Sequence, residues 1–143
     1  MYRSGKHLKV SFTLLLLAWC LGLATPARAN LRFYTIVQQN CMAYRVATDA
    51  SQMDLEEESD GSLTFSLQLE SRRNNYEEVM MIGYIAVGQA VERTDLNVQT
   101  IHIIVTTPNS IIHTTADISL VEQLLREEIN SFDFIRQLQW SSN

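Results

Sequence analysis

The chain has 143 residues, of which 46% are hydrophobic and 19% charged, and its formal net charge is −5 at pH 7. This length and composition fit one globular domain around one hydrophobic core and exclude a second domain of ordinary size. The basic residues form no stripe along the chain, so the electrostatic footprint of a nucleic-acid-binding protein is missing.

Residues 1–29 have the three parts of a secretory signal peptide. Basic residues come first, an apolar run covers residues 10–24, and the small residues Ala27 and Ala29 form an A-x-A cleavage site. The apolar run is shorter than the ~20 residues that a membrane-spanning helix needs. We therefore predict cleavage after Ala29, a periplasmic or secreted protein, and no stable membrane insertion after cleavage, with an uncleaved N-terminal anchor as the alternative.

The predicted mature domain, residues 30–143, contains seven arginines, no lysine and all sixteen acidic residues, which is a formal net charge of −9. This charge favours solubility and disfavours nucleic acid and anionic membranes as partners. Cys41 is the only cysteine left after cleavage, so no disulfide can form within the mature chain. We expect Cys41 to be a buried small hydrophobe, with a reactive or intermolecular thiol as the alternative.

The first element of the mature domain is predicted to be a helix over residues 33–47. Its apolar stripe at helical spacing consists of Phe33, Ile36, Val37, Tyr44 and Ala47. The start of this segment also has the β-branched and aromatic residues of a strand, so a strand is the alternative there.

A hairpin is predicted to follow this helix. Apolar residues alternate with polar ones from Leu63 to Leu69, as in a half-buried strand, and Ser59-Asp60-Gly61 suits a three-residue loop before it. That loop pairs Leu55 with Phe65 and Met53 with Leu67, which places the apolar residues on one face.

A second helix is expected from a cap at Asn75, with Glu78 three residues later, to about Thr94. Between Val79 and Val91 the segment is apolar on nearly every side, and its glycines and alanines allow neighbours to approach closely. The sequence therefore predicts a central buried helix.

A second hairpin is predicted around Pro108-Asn109, with Thr107 opposite Ser110. Its core face would then contain Ile101, Ile103, Val105, Ile112, Ala116 and Ile118. A capping box at Ser119–Glu122 predicts the start of a last helix, and a short amphipathic turn is expected around residues 132–138.

The elements come in the order helix, hairpin, helix, hairpin, helix. This order predicts a single α+β domain over residues 30–143, with an antiparallel sheet built from two β-hairpins and helices packed on one face. The other face of the sheet is expected to meet solvent.

The register of the second hairpin collects a mixed set of residues on that solvent face. The candidate binding face consists of Thr100, His102, Ile104, His113, Thr115 and Asp117. The two histidines are diagonal neighbours there, within reach of each other. Two histidines and Asp117 are the ligand types of a metal site, but an amphipathic surface without a metal is the stronger interpretation, and a pH-sensitive pair is another.

Motifs for catalysis and cofactor binding are missing from the sequence. There is no G-x-S-x-G elbow, phosphate-binding glycine loop or family-type cysteine signature, and no cofactor is expected. We therefore predict a non-enzymatic exported protein that binds a protein partner as an accessory, chaperone-like or inhibitory module. The alternatives are a small metal-dependent or thiol enzyme that uses His102, His113 and Asp117 or else Cys41, and a homo-oligomer formed through the same face.

Overall fold

The computed structural model describes the backbone of residues 25–142 and the side chains of residues 28–141, so most of the predicted signal peptide lies outside the described part. This part contains four α-helices, α1 (Thr25–Ala43), α2 (Tyr76–Glu92), α3 (Ile118–Leu125) and α4 (Ser131–Gln137), and a 3₁₀ turn at Ala50–Gln52. It also contains five strands, β1 (Met53–Glu57), β2 (Leu63–Glu70), β3 (Val98–Thr106), β4 (Ile111–Asp117) and β5 (Gln139–Ser142). The class is α+β, as predicted. None of these helices combines the length and apolarity that crossing a membrane requires.

Both hairpins have the predicted registers. Met53 lies opposite Leu67 and Leu55 opposite Phe65 in the first hairpin. In the second, the Thr107 N–H donates to the Ser110 carbonyl at 2.9 Å, so the turn lies at Pro108-Asn109. Turn chemistry and apolar alternation act between neighbouring residues, which is why the sequence alone predicts these pairings.

The prediction of an antiparallel sheet is wrong where the two hairpins join. The strand order is β1-β2-β3-β4-β5, and β2 and β3 run parallel while the other neighbours run antiparallel. A parallel pair needs a long crossover, and α2 supplies it between the two strands. The predicted architecture is therefore only partly correct: the sheet is mixed, and a further helix and strand follow α3.

The first helix ends earlier than predicted. α1 stops at Ala43, where the Val46 N–H donates to the Cys41 carbonyl and the Arg45 N–H to the Met42 carbonyl. These bonds form a Schellman cap with Arg45 in the left-handed conformation, at φ 62°. The buried stripe of α1 is accordingly Phe33, Val37, Asn40 and Cys41, whereas Tyr44 and Ala47 are exposed.

The C-terminal region also differs from the expectation. α3 begins at Ile118 with Asp117 at the N-cap position, so the prediction of a capping box at Ser119–Glu122 is wrong. A second helix follows, α4, which Asn130 caps by accepting from the Asp133 N–H at 2.9 Å. The last residues form β5, which pairs with β4.

The core lies between the sheet and the helices. α2 is the central buried helix, as predicted, and it contacts the other long helix through Asn40, whose side-chain amide donates to the Ala86 carbonyl at 3.0 Å. Cys41 is fully buried, which confirms the expected packing role, and burial raises the pKa of its thiol to about 11. The predicted cleavage position after Ala29 falls inside α1, ahead of the buried Phe33.

Candidate functional site: the open face of the sheet

The candidate binding face lies on the side of the sheet away from the core. Residues alternate along each strand, so the buried Ile101, Ile103 and Val105 point to the helices and the residues between them point the other way. We call this second side the open face. All six predicted residues lie on it, namely Thr100, His102, Ile104, His113, Thr115 and Asp117.

The two histidines of the open face contact each other. His102 lies opposite Thr115 and His113 opposite Ile104, which makes the two imidazoles diagonal neighbours on adjacent antiparallel strands. His102 Nε2 lies 3.2 Å from His113 Nδ1, and the ring centroids are 5.3 Å apart. The rings therefore meet through their nitrogen edges, and one N–H donates to the lone pair of the other ring.

Burial and the neighbouring ring favour the neutral form of His102. The pKa of His102 is lowered, mainly because partial burial disfavours the cation and secondly because a charged His113 would repel it. The carboxylates on this face, which belong to Asp54, Glu56, Glu70 and Asp117, do not offset these two effects. Two neutral rings fit this contact because one N–H lies between the two nitrogens, whereas protonation of both rings would place two cations side by side.

The structure does not bring the proposed catalytic groups together. Asp117 lies opposite Thr100 at the end of β4, and residues 25–142 contain no group of three histidine, cysteine or acidic side chains that could hold a metal ion. Cys41 is on α1, across the sheet from the histidines, so no thiol and imidazole pair forms among the described residues.

The strands that flank the histidine pair were not predicted as its neighbours. Ser66 lies opposite His102 because β2 is its parallel neighbour, and Ser141 lies opposite His113 because β5 covers the other side of the hairpin. The alternation of β2 was visible in the sequence, but nothing local specifies which strand it adjoins. For β5 the only signal is a four-residue segment, Gln-Trp-Ser-Ser, which is too short to predict a strand.

The centre of the open face is partly apolar. Ile104 is half-buried beside the histidine pair, and Ile111 at the start of β4 keeps 42% of its surface exposed. No protein family, curated protein or solved structure matches this chain. Its function is therefore inferred from these residues.

Proposed function

We propose that this protein is exported and acts without catalysis, by binding a protein partner through the open face. The observation that supports the proposal is the half-buried His102–His113 pair, with Ile104 and Ile111 beside it, on a sheet face that no described helix covers. Protein interfaces combine an apolar centre with polar groups at the rim, and this face has both. An accessory, chaperone-like or inhibitory module acts by binding of this kind and needs no catalytic group.

The face is a better docking surface than the edges of the sheet. β1 forms one edge and is only five residues long, with three acidic residues, Asp54, Glu56 and Glu57. Short, charged edges discourage the addition of another strand. β5, at the other edge, has only four residues. A partner is therefore expected to cover side chains of the face and not to extend the sheet.

The export part of the proposal rests on the signal-peptide pattern of residues 1–29. It is tested by N-terminal sequencing of the protein recovered from the periplasmic and extracellular fractions. Asn30 is expected as the first residue. Recovery from the cytoplasm alone, with Met1 or Tyr2 still present, would refute export while leaving the binding face to be tested separately.

The binding part is tested by using the purified protein as bait in exported fractions, with mass spectrometry of what is retained. The face variant is His102→Gln, Ile104→Thr and His113→Gln combined, and the matched control is Glu92→Gln at the end of α2. A reproducible partner that the control retains and the face variant loses would support the proposal. A partner retained equally by both folded variants would show that binding occurs elsewhere.

A second copy of the chain is a partner of the same class. Sedimentation of the purified protein distinguishes this case, because self-association through the open face gives a dimer that the face variant returns to monomer. A monomer at all concentrations would exclude it and leave a different protein as the partner.

A further inference from the structure

A cleft of about 690 Å³ lies at the end of the sheet where β2 leads into α2. Its walls come from residues 44–49 after α1, from residues 70–73 at the end of β2 and just beyond it, and from the start of α2. A smaller concavity of about 420 Å³ adjoins it, shares Arg72 and Arg73, and extends to the turn after β3. Both are therefore at the carboxyl ends of the two parallel strands, the end at which open parallel α/β sheets bind their ligands.

Arginines are concentrated around this cleft. Arg45, Arg72 and Arg73 line it, which is three of the seven arginines in an otherwise acidic domain. None of the three forms a salt bridge within the described part of the chain, where the ion pair present joins Arg126 to Glu122. Exposed guanidinium groups without a carboxylate partner are available to an external oxyanion, which their planar fork fits well.

A buried hydroxyl in the cleft wall lacks a partner. Thr48 is 6% exposed, and its Oγ1 has no hydrogen-bond partner among the described residues. Buried polar groups are nearly always paired, and Thr48 is one of the residues that line the cleft, so a group bound there would supply the missing partner. A hydroxyl can donate to an oxyanion.

The adjacent end of α2 is also uncapped. Asn75 is at the N-cap position but makes no side-chain cap, because its Oδ1 accepts instead from the Ser71 hydroxyl at 2.9 Å. The first N–H groups of this 17-residue helix therefore have no side-chain partner from the cap. Such a terminus attracts negative charge, part of which Glu77 and Glu78 of its own first turn already supply.

Acidic residues limit the charge that the cleft can accept. Asp49, Glu70 and Glu78 line it together with the three arginines, so its formal charge is balanced. The Asp49 carboxylate already accepts from the N–H and the hydroxyl of Ser51, and Glu78 accepts from the Asn75 amide at 3.4 Å. One anionic group can contact the arginines, whereas each further negative charge on a ligand would lie close to Asp49, Glu70 or Glu78.

We propose that this cleft binds a small organic molecule through a single oxyanion group, a carboxylate or a phosphate, which Arg45, Arg72, Arg73 and the Thr48 hydroxyl hold. The apolar wall formed by Val46, Val79 and Ile82 contacts the rest of the ligand. This site lies at the end of the sheet and is separate from the His102–His113 pair. It binds its ligand whether or not a partner occupies the open face.

Arg45 offers a test that does not damage the fold. Its left-handed backbone at the end of α1 is the conformation that glycine adopts most easily. Arg45→Gly therefore removes the guanidinium group while it relaxes the backbone. Glu127 has the same conformation at the end of α3, at φ 57°, so Glu127→Gly is the matched control away from the cleft.

The experiment titrates the purified protein with phenyl phosphate and with benzoate at constant ionic strength, followed by amide chemical shifts and calorimetry. Benzyl alcohol is the neutral control ligand. Saturable binding of at least one anion, with shifts at Thr48, Arg72 and Arg73, is the expected result, and the anion that binds identifies the group. No saturation by either anion, or equal binding of benzyl alcohol, would overturn the proposal.

The variants show which groups hold the anion. Arg45→Gly, and Arg72→Gln combined with Arg73→Gln, are each expected to weaken binding by about tenfold or more, because each removes charge-assisted hydrogen bonds. Thr48→Val is nearly isosteric and is expected to weaken binding without lowering the melting temperature of the free protein. Glu127→Gly and the exposed Arg93→Gln should bind as the parent does, and an equal loss in these controls would refute the site.

Discussion

Tyr84 donates its hydroxyl to Thr114 Oγ1 at 3.0 Å in the middle of the core, and Thr114 Oγ1 in turn donates to the Ile103 carbonyl at 3.3 Å. Burial raises the pKa of Tyr84 well above its ordinary value, so the phenol stays protonated. The ring of Tyr84 also packs edge-on against Phe134, with centroids 5.2 Å apart. This relay connects the central helix to the two strands that carry the histidine pair.

Removal of the Thr114 hydroxyl and removal of the Tyr84 hydroxyl should have unequal effects. Thr114→Val leaves the buried Tyr84 hydroxyl without its acceptor and is expected to lower the free energy of unfolding by about 1–3 kcal/mol. Tyr84→Phe leaves Thr114 bonded to the Ile103 carbonyl and should cost less, about 0.5–1.5 kcal/mol. Urea denaturation of both variants and of the double variant measures the difference. Additive losses in the double variant would show that the two hydroxyls are not coupled.

The histidine pair should make stability depend on pH. The pKa of His102 is lower in the folded protein than the ordinary value near 6.5, so the unfolded chain takes up a proton first as the pH falls. The free energy of unfolding is therefore expected to be constant above about pH 7 and to decrease as the pH drops through about 6.5.

Single substitutions identify the residue responsible. His102→Gln should flatten the pH dependence between about pH 7 and 5.5, above the range in which ordinary carboxylates titrate. His113→Gln should flatten it only partly, because burial is the larger cause of the lowered His102 pKa and remains in that variant. Denaturation at several pH values, with proton NMR titration of the imidazoles, measures both effects. An unchanged slope in His102→Gln would contradict the assignment.

The two glycines of α2 should respond differently to alanine. A Cβ at Gly88 would meet Val121 Cγ1 at 2.7 Å and Leu125 Cδ1 at 2.8 Å, whereas one at Gly83 would meet Leu69 Cδ1 at 3.0 Å. Alanine gains about 1 kcal/mol in helix propensity at either site, but overpacking costs about 1–3 kcal/mol. Gly88→Ala is therefore expected to lower the melting temperature, and Gly83→Ala to change it little. A higher melting temperature for Gly88→Ala would show that α3 moves away at no cost.

The features that could be predicted from the sequence are those that depend on residues close together in the chain. The hairpin registers follow from alternation and turn residues, and the contact between His102 and His113 follows from the register. The pairing of β2 with β3 could not be predicted. Each hairpin has two edge strands, and the apolar alternation of a strand is the same whichever strand pairs with it. The arginine cleft was missed for a related reason, since Arg45 and Arg72 are far apart in sequence and line one cleft only because α1 packs against α2.

Cys41 should be inert in the folded protein. It is fully buried and its pKa is raised to about 11, so little thiolate exists and none is accessible at pH 8. The test uses a chain with Cys20→Ser, or one cleaved after Ala29, and an aromatic disulfide reagent. In native buffer the thiol is expected to react no faster than the protein transiently unfolds, and in urea it should react completely. Cys41→Ala should cost about 1 kcal/mol through the small cavity it leaves. Rapid labelling in native buffer, or a disulfide-linked dimer on non-reducing electrophoresis, would instead identify Cys41 as an accessible thiol.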